Sequence, residues 1–211
     1  MIDKKIHFAI DKNIIVKNFK KKIFKKYKNY LPHQSSVIVV IGGDGFMLES
    51  LKKYQKYKKP FYGMNKGTFG FLMNKFKIKN IWKSILNAKQ ISISPLIMEA
   101  VTKNNTKKTA IAINEVSLLR QSRQASLLQI KNRKKILIKK LVCDGVLVST
   151  PAGSTAYNLS VNGPILSINS KKLAITPISP FRPRRWKGRI VSSSSLVKIK
   201  NLNIHKRSVS A

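Results

Sequence analysis

The sequence predicts two domains of different class: an α/β domain built on a parallel sheet with helices over 1–94, and a mostly-β domain over 95–211. Three observations predict this. Val37-Ile38-Val39-Val40-Ile41 is an unbroken run of β-branched residues that ends on Gly42-Gly43-Asp44-Gly45. Such a run, too short for a typical helix, reads as a strand buried on both faces. Up to Ala88 strand-like and helix-spaced segments alternate, which argues for a parallel, helix-covered sheet. From Ile91-Ser92-Ile93-Ser94-Pro95 onward short strand-like segments are separated by turn residues instead.

Taken in order, Lys4 to Ala9 alternates weakly and reads as a first strand. Lys12 to Tyr30 carries Ile14, Ile15, Phe19, Ile23, Phe24 and Tyr27 at helix-like spacing, so an amphipathic helix is expected. The Val37–Ile41 strand follows, then a helix over Phe46–Tyr54. Pro60 to Asn65 reads as the next strand, and Ile78 to Ala88 as a further helix. In the second half, strands are expected at Leu96–Thr102, Thr109–Leu119, Ser126–Ile130, Ile136–Lys140 and Val146–Ser149. Asn104-Asn105 and Asn132-Arg133-Lys134 read as hairpin tips, and Ser192–Ser195 as a polar loop.

Composition narrows the function. A chain of 211 residues with 43% hydrophobic content can bury a real core. No apolar run approaches the roughly 18–20 residues of a membrane span, and no secretory signal is visible. Cys143 is the single cysteine, so no internal disulfide forms and a reducing cytoplasm fits. The formal net charge is +36. Lysine dominates and is scattered through a chain also rich in Ile and Asn, which reads as codon bias rather than dedicated nucleic-acid binding. The field still attracts polyanions such as nucleotides. The acids are few: Asp3, Asp11, Asp44, Glu49, Glu99, Glu115 and Asp144. Of these, Asp44, Glu115 and Asp144 adjoin Gly or Asn in strand-adjacent stretches and are the candidates for chemistry.

Asp44 sits on a strand–turn–helix corner, where ligands bind in open α/β sheets. Glycines without Cβ let phosphate approach backbone N–H groups, and a helix start adds positive dipole character. An acid there can position or deprotonate a hydroxyl; a tight turn with a solvated Asp is the alternative. Asn114-Glu115, inside an alternating strand, can hold ribose hydroxyls or a metal-bound phosphate, or be an exposed pair beside a lysine. From Cys143 to Ser160 a strand runs through Asp144-Gly145 into Thr150-Pro151-Ala152-Gly153-Ser154-Thr155-Ala156-Tyr157-Asn158-Leu159-Ser160. Its small residues admit a flat ligand, its hydroxyls supply polar contacts, and Ser154 or Thr155 can cap a helix. The arginines of Phe181-Arg182-Pro183-Arg184-Arg185-Trp186 can hold phosphates bidentately, with Trp186 stacking on arginine; a solvated basic loop is the other reading. Neither G-x-x-x-x-G-K-[ST] nor G-x-G-x-x-G occurs, there is no paired-cysteine zinc spacing, and His7, His33 and His205 are isolated.

Together, Gly42-Gly43-Asp44-Gly45, Gly63-Met64-Asn65 with Gly67, Gly70-Phe71-Leu72, Asn114-Glu115, Asp144-Gly145 and Thr150–Tyr157 resemble the NAD kinase family in order and spacing. Phe46 and the Ser179–Trp186 stretch resemble its alphaproteobacterial branch. The resemblance implies ATP-dependent phosphorylation of the 2′-hydroxyl of the adenosine ribose of NAD, at a site between two domains. It implies Asp44 as proton acceptor, with Gly42 and Gly43 at phosphate. It implies dinucleotide contacts from Asp44, Gly45, Asn114, Glu115, Ala152, Thr155, Ala156, Tyr157, Asn158, Leu159 and Ser160. It places Asp144 on the NAD of a neighbouring subunit, hence a homo-oligomer, dimer or tetramer. It also implies a divalent cation, normally Mg²⁺, on the ATP phosphates; the residues that would hold a metal stay open. No membrane partner is implied, and the location is expected to be cytoplasmic.

The chain departs from the family pattern at Lys66, Val142 and Val161-Asn162, and it ends at Ala211 where relatives continue for several dozen residues. Two other readings therefore accompany the kinase: a non-catalytic nucleotide- or nucleic-acid-binding remnant, and a Gly-Gly-Asp-Gly kinase acting on a lipid or sugar.

Overall fold

The computed structural model describes residues 4–14, 18–67 and 70–211. Packing divides the chain into Met1–Gln90 and Ile91–Ala211.

The first unit is a parallel sheet. Its elements run β1 (Ile6–Ile10), α1 (Phe19–Phe24), β2 (Val37–Gly42), α2 (Asp44–Tyr54), β3 (Phe61–Asn65), β4 (Asn74–Lys75) and α3 (Ile81–Leu86), and the strand order is β1-β2-β3-β4. The period of two in a strand sorts β2 onto two cores. Val37, Val39 and Ile41 pack with Phe19 and Ile23 of α1 and Ile81 of α3, while Ile38 and Val40 pack with Met47 of α2. Every residue of β2 is buried, which is why its sequence is apolar without alternation.

Two helices are shorter than their apolar spacing predicts. The helix expected over Lys12–Tyr30 is confined to α1; Ile15 lies outside the described residues. It opens at Asn18, which holds a left-handed φ of 65°. Lys20, Lys21, Lys22, Lys25 and Lys26 repel at helical spacing with no acid to offset them. In α3 a tertiary contact sets the start: the Tyr27 hydroxyl donates to the Ile78 carbonyl at 2.8 Å and accepts from the Ile81 N–H at 3.3 Å.

The second unit is antiparallel. It runs β5 (Leu96–Val101), β6 (Lys107–Ala112), β7 (Glu115–Arg120), β8 (Ser126–Asn132), β9 (Lys135–Cys143), β10 (Gly145–Ser149), α4 (Tyr157–Ser160), β11 (Lys172–Ile178), β12 (Arg189–Ser192), β13 (Val197–Asn201) and β14 (Val209–Ser210). A sheet of order β12-β11-β10-β7-β14 and a sheet of order β13-β8-β9 share one core, in which Leu128, Ile130, Leu141 and Cys143 meet Val146, Val148, Leu173 and Ile175. β5 and β6 form a separate hairpin. The turns at Asn105 and Arg133 take left-handed φ values of 59° and 52°, as the hairpin reading requires.

Three features differ from the sequence reading. The single strand expected at Thr109–Leu119 is two, β6 and β7, in different sheets. The break falls at Ile113-Asn114 because Thr150 takes both carbonyls there. Its hydroxyl donates to Ile113 at 2.7 Å and its N–H to Asn114 at 2.8 Å. Second, Lys172–Ile178, to which the sequence reading assigned no element, is strand β11, between β10 and β12. Pro177 is tolerated because β12 pairs only with Lys172–Ile175, leaving the proline beyond that ladder. Third, β12, β13 and β14 are strands that the sequence reading did not assign: β12 and β14 are short and do not alternate, β13 alternates over only Val197–Asn201, and long-range pairing completes all three.

Candidate functional site

In the first unit the carboxyl ends of three neighbouring parallel strands converge on Asp44. Gly42 ends β2, Gly43 precedes the helix with extended backbone, and Asp44 is the first residue of α2. No side chain caps α2, so its first-turn N–H groups are left for solvent or a ligand. A Cβ at Gly42 would lie 2.9 Å from the Phe46 ring and 3.2 Å from the Asp11 Cβ, so the position requires glycine. The loop after β3 lies along this corner. Lys66 N–H donates to the Gly42 carbonyl at 2.7 Å, and a Cβ at Gly67 would lie 3.3 Å from the Gly43 Cα. The Asp44 carboxylate accepts the Phe71 N–H at 2.7 Å on one oxygen and the Leu72 N–H at 3.2 Å on the other. Two amides therefore fix its plane, while the remaining lone pairs stay free to receive a hydroxyl.

The second unit holds its own cluster at the β6–β7 break. Thr150 ties down the Ile113 and Asn114 carbonyls, and Gly153 sits so close that an added Cβ would lie 2.2 Å from the Asn114 oxygen. The Asn114 side-chain oxygen and one Glu115 carboxylate oxygen are buried with no hydrogen-bond partner. Two adjacent buried acceptors without donors are costly in an isolated chain and mark a place for a ligand that donates. Burial pushes the Glu115 carboxyl above the ordinary glutamate range.

The turn that follows β10 is built from hydroxyls and amides. The Ser154 hydroxyl donates to the Pro151 carbonyl at 2.8 Å and accepts the Leu166 N–H at 3.0 Å. It therefore bridges two loops instead of capping α4, which has no side-chain cap. Asn158 is fully buried: its amide donates to the Ser154 and Pro164 carbonyls, at 3.2 and 2.9 Å, and its oxygen accepts the Thr176 hydroxyl at 2.7 Å. These bonds hold the Asn158 side chain inside the turn. Ala152 is buried too, Thr155 and Ala156 are half-buried, and Tyr157, Leu159 and Ser160 are exposed.

Asp144 stands where the chain passes from one sheet to the other, between β9 and β10. Its carboxylate is 2.6 Å from the Arg120 Nε, and both side chains are about a third exposed, at 34% and 39%. Of the basic loop, Trp186 packs against the β core rather than stacking on arginine. Phe181 takes that role: the Arg182 and Arg184 guanidiniums lie 4.5 and 5.4 Å from its ring centre.

The ATP-NAD kinase N-terminal domain matches residues 3–90, and the ATP-NAD kinase C-terminal domain matches residues 113–210. The chain is 48% identical to the NAD kinase of Brucella suis over 191 residues, 90% of this chain and 74% of the relative. It is equally similar to the NAD kinase of Caulobacter vibrioides, at 48% over 192 residues, 91% of this chain and 74% of that one. The chain belongs to the NAD kinase family.

Solved structures agree in fold. Yeast NADH kinase complexed with NADH superposes with a TM-score of 0.77 at 23% identity, over 95% of this chain and 73% of that one. An NAD kinase from Archaeoglobus fulgidus in complex with ATP superposes at 0.69 and 20% identity, over 92% and 80%.

Asp11, which the sequence reading did not single out, stands beside the Gly42 corner. It directly follows β1, which pairs with β2 in the parallel sheet, and its Cβ approaches Gly42. The signal was present, an acid at the carboxyl end of a predicted strand, but no glycine adjoins it. The Phe71 and Leu72 amides left no trace in side-chain identity at all.

Proposed function

We propose that this chain transfers the terminal phosphoryl group of ATP to the 2′-hydroxyl of the adenosine ribose of NAD, giving NADP. The observation that carries the reading is Asp44: one carboxylate, fixed by two backbone amides, at a strand–helix corner otherwise made of glycine. A sugar hydroxyl is a poor nucleophile. An aspartate held at one angle can orient it and accept its proton as the phosphoryl group moves. Gly43 and Gly45 leave backbone unscreened by side chains above the buried Gly42, and the uncapped start of α2 adds N–H groups suited to phosphate.

On the dinucleotide side, Asn114 and Glu115 are the proposed partners of ribose hydroxyls. Their unpartnered acceptors support this, since each hydroxyl brings the donor they lack. Ala152, Thr155, Ala156, Tyr157, Leu159 and Ser160 form the adenosine side of the proposed pocket, with small residues where a flat ring must come close. Asn158 acts there by holding the turn. Asp144, oriented by Arg120, is the proposed contact to the NAD of a neighbouring subunit. A homo-oligomer, dimer or tetramer, belongs to the same proposal, and light scattering on the eluting protein tests it.

A divalent cation, expected as Mg²⁺, fits this chain as an ion carried on ATP. Among the described residues no group of three His, Cys, Asp or Glu converges, and Mg²⁺ needs only one or two carboxylates beside substrate phosphates. Asp44, with Asp11 at the neighbouring strand end, would supply them. The ion would screen phosphate charge. Among the described residues no helix is long and apolar enough to cross a membrane. A cytoplasmic location is proposed from the single buried cysteine.

The test is NADP formation from NAD, ATP and Mg²⁺, followed with an NADP-specific dehydrogenase, with Asp44→Asn in parallel. Product from the wild type alone is expected. Equal activity in the variant would remove Asp44 from the chemistry.

A further inference from the structure

The loop between β11 and β12 concentrates arginine in a lysine-rich chain. The sequence has eight arginines, at 120, 123, 133, 182, 184, 185, 189 and 207, and four of the eight fall within 182–189. A composition that elsewhere supplies positive charge as lysine supplies it here as guanidinium. Guanidinium differs from ammonium in presenting a rigid fork of donors that matches phosphate oxygens in pairs.

The loop is built rather than loose. Phe181 and Arg182 donate their N–H groups to the Val142 carbonyl, at 2.8 and 3.1 Å, and Val142 N–H returns a bond to the Arg182 carbonyl at 2.8 Å. At the far end Trp186 packs on the core. Gly188, with a φ of 95°, passes so close to β11 that a Cβ would lie 2.0 Å from the Ile175 oxygen. Between these anchors Phe181, Arg182, Arg184 and Arg185 are exposed. Both Arg182 and Arg184 lean on the Phe181 ring, which brings two like charges to one small platform. That arrangement repels itself, and among the described residues no carboxylate pairs with either arginine; Asp144 pairs with Arg120 instead. An anion with several oxygens would remove the repulsion and take up both forks.

We infer that Arg182 and Arg184, mounted on Phe181, form a binding site for the phosphate groups of the dinucleotide. Assigning the anion to the dinucleotide rests on the kinase reading above. The loop is pinned to Val142, two residues before Asp144, and Asp144 N–H itself bonds the Ile178 carbonyl of β11. The loop that carries both guanidiniums is thus anchored by backbone bonds to the strand end that leads into Asp144, the carboxylate proposed to contact NAD.

The experiment is calorimetric titration of the full chain, without ATP, so that no turnover enters. NAD, inorganic pyrophosphate and a short single-stranded DNA are the probes. The Arg182→Gln/Arg184→Gln variant is expected to weaken NAD and pyrophosphate by roughly 10-fold or more each. Lys187→Gln, one charge on the same loop without a fork, is expected to change either by less than about twofold. The Arg182→Lys/Arg184→Lys pair keeps charge and bulk and guards against a folding artefact; it is expected to recover only part of the affinity. Full recovery with lysine overturns the assignment, as does a glutamine pair that binds NAD like the wild type. Loss of DNA binding with NAD unchanged would make the loop a nucleic-acid contact instead. Wild-type protein that binds pyrophosphate at this loop but not NAD would uphold the anion site and sink both its dinucleotide assignment and the kinase reading. NADP formation by the wild type, absent in Asp44→Asn, tests the kinase reading separately, so failure of the loop assignment alone leaves that assay's expected result standing.

Discussion

The Thr176 hydroxyl donates a 2.7 Å hydrogen bond to the Asn158 side-chain oxygen, and both residues are sealed from solvent. Thr176 belongs to β11, whereas Asn158 belongs to the short helix after the Thr150–Thr155 turn. The bond ties the turn proposed to face adenosine to the central sheet. Gly163 completes the arrangement: a Cβ there would lie 2.2 Å from the Asn158 oxygen.

Removing this anchor should cost stability and only then ligand affinity. Asn158→Ala leaves the Thr176 hydroxyl and two buried carbonyls unpaired, so a loss of about 3 kcal/mol is expected in urea unfolding. Thr176→Val strands only the Asn158 oxygen and should cost about 1–2 kcal/mol. Equal stability of wild type and Asn158→Ala would show that water replaces the side chain.

Asp44→Asn keeps shape and the oxygen facing one amide but removes the proton acceptor. Turnover is expected to fall by about 10²- to 10⁴-fold, with NAD affinity largely retained. The variant's N–H₂ also meets the Phe71 or Leu72 N–H, so its melting temperature should be followed alongside. Parallel loss of binding and turnover would point to a folding role.

Gly153→Ala places a methyl group within 2.2 Å of the Asn114 carbonyl oxygen, against backbone that Thr150 already holds. A destabilisation of about 2 kcal/mol is expected. The displaced Asn114-Glu115 corner should also weaken NAD measurably in titration. Unchanged stability would mean that the β6–β7 break is soft.

Glu115 makes a signed pH prediction. Burial raises its carboxyl above the ordinary range, so the folded chain holds a proton that the unfolded chain releases. Between the two titrations stability declines as pH rises, and above both the cost is complete. Affinity runs the other way: the ionised carboxylate is the stronger acceptor for ribose hydroxyls, so NAD binding should tighten as pH climbs through this window. Glu115→Gln should flatten both profiles. A binding profile that stays sloped in the variant would assign it to another group.

The sequence by itself determined the fold class, the parallel strand at Val37–Ile41 and the corner at Asp44, because these are local. A β-branched run, a glycine cluster and a helix-spaced continuation each restrict their own backbone. It determined the candidate residues as a set through their order and spacing. Tertiary structure decided the rest. The Lys12–Tyr30 helix shrank to α1 under its own charge, and the Tyr27 hydroxyl moved the start of α3. Thr150 broke one expected strand into β6 and β7 by capturing two carbonyls from 36 and 37 residues away in sequence. Whether a side chain faces a ligand or the core was likewise invisible: Asn158 turns inward because Thr176, Ser154 and Pro164 claim its three polar bonds. The amides that hold Asp44 belong to backbone, which carries no side-chain signature. Residue type specifies which groups can bond; only the fold brings together the partners with which they do.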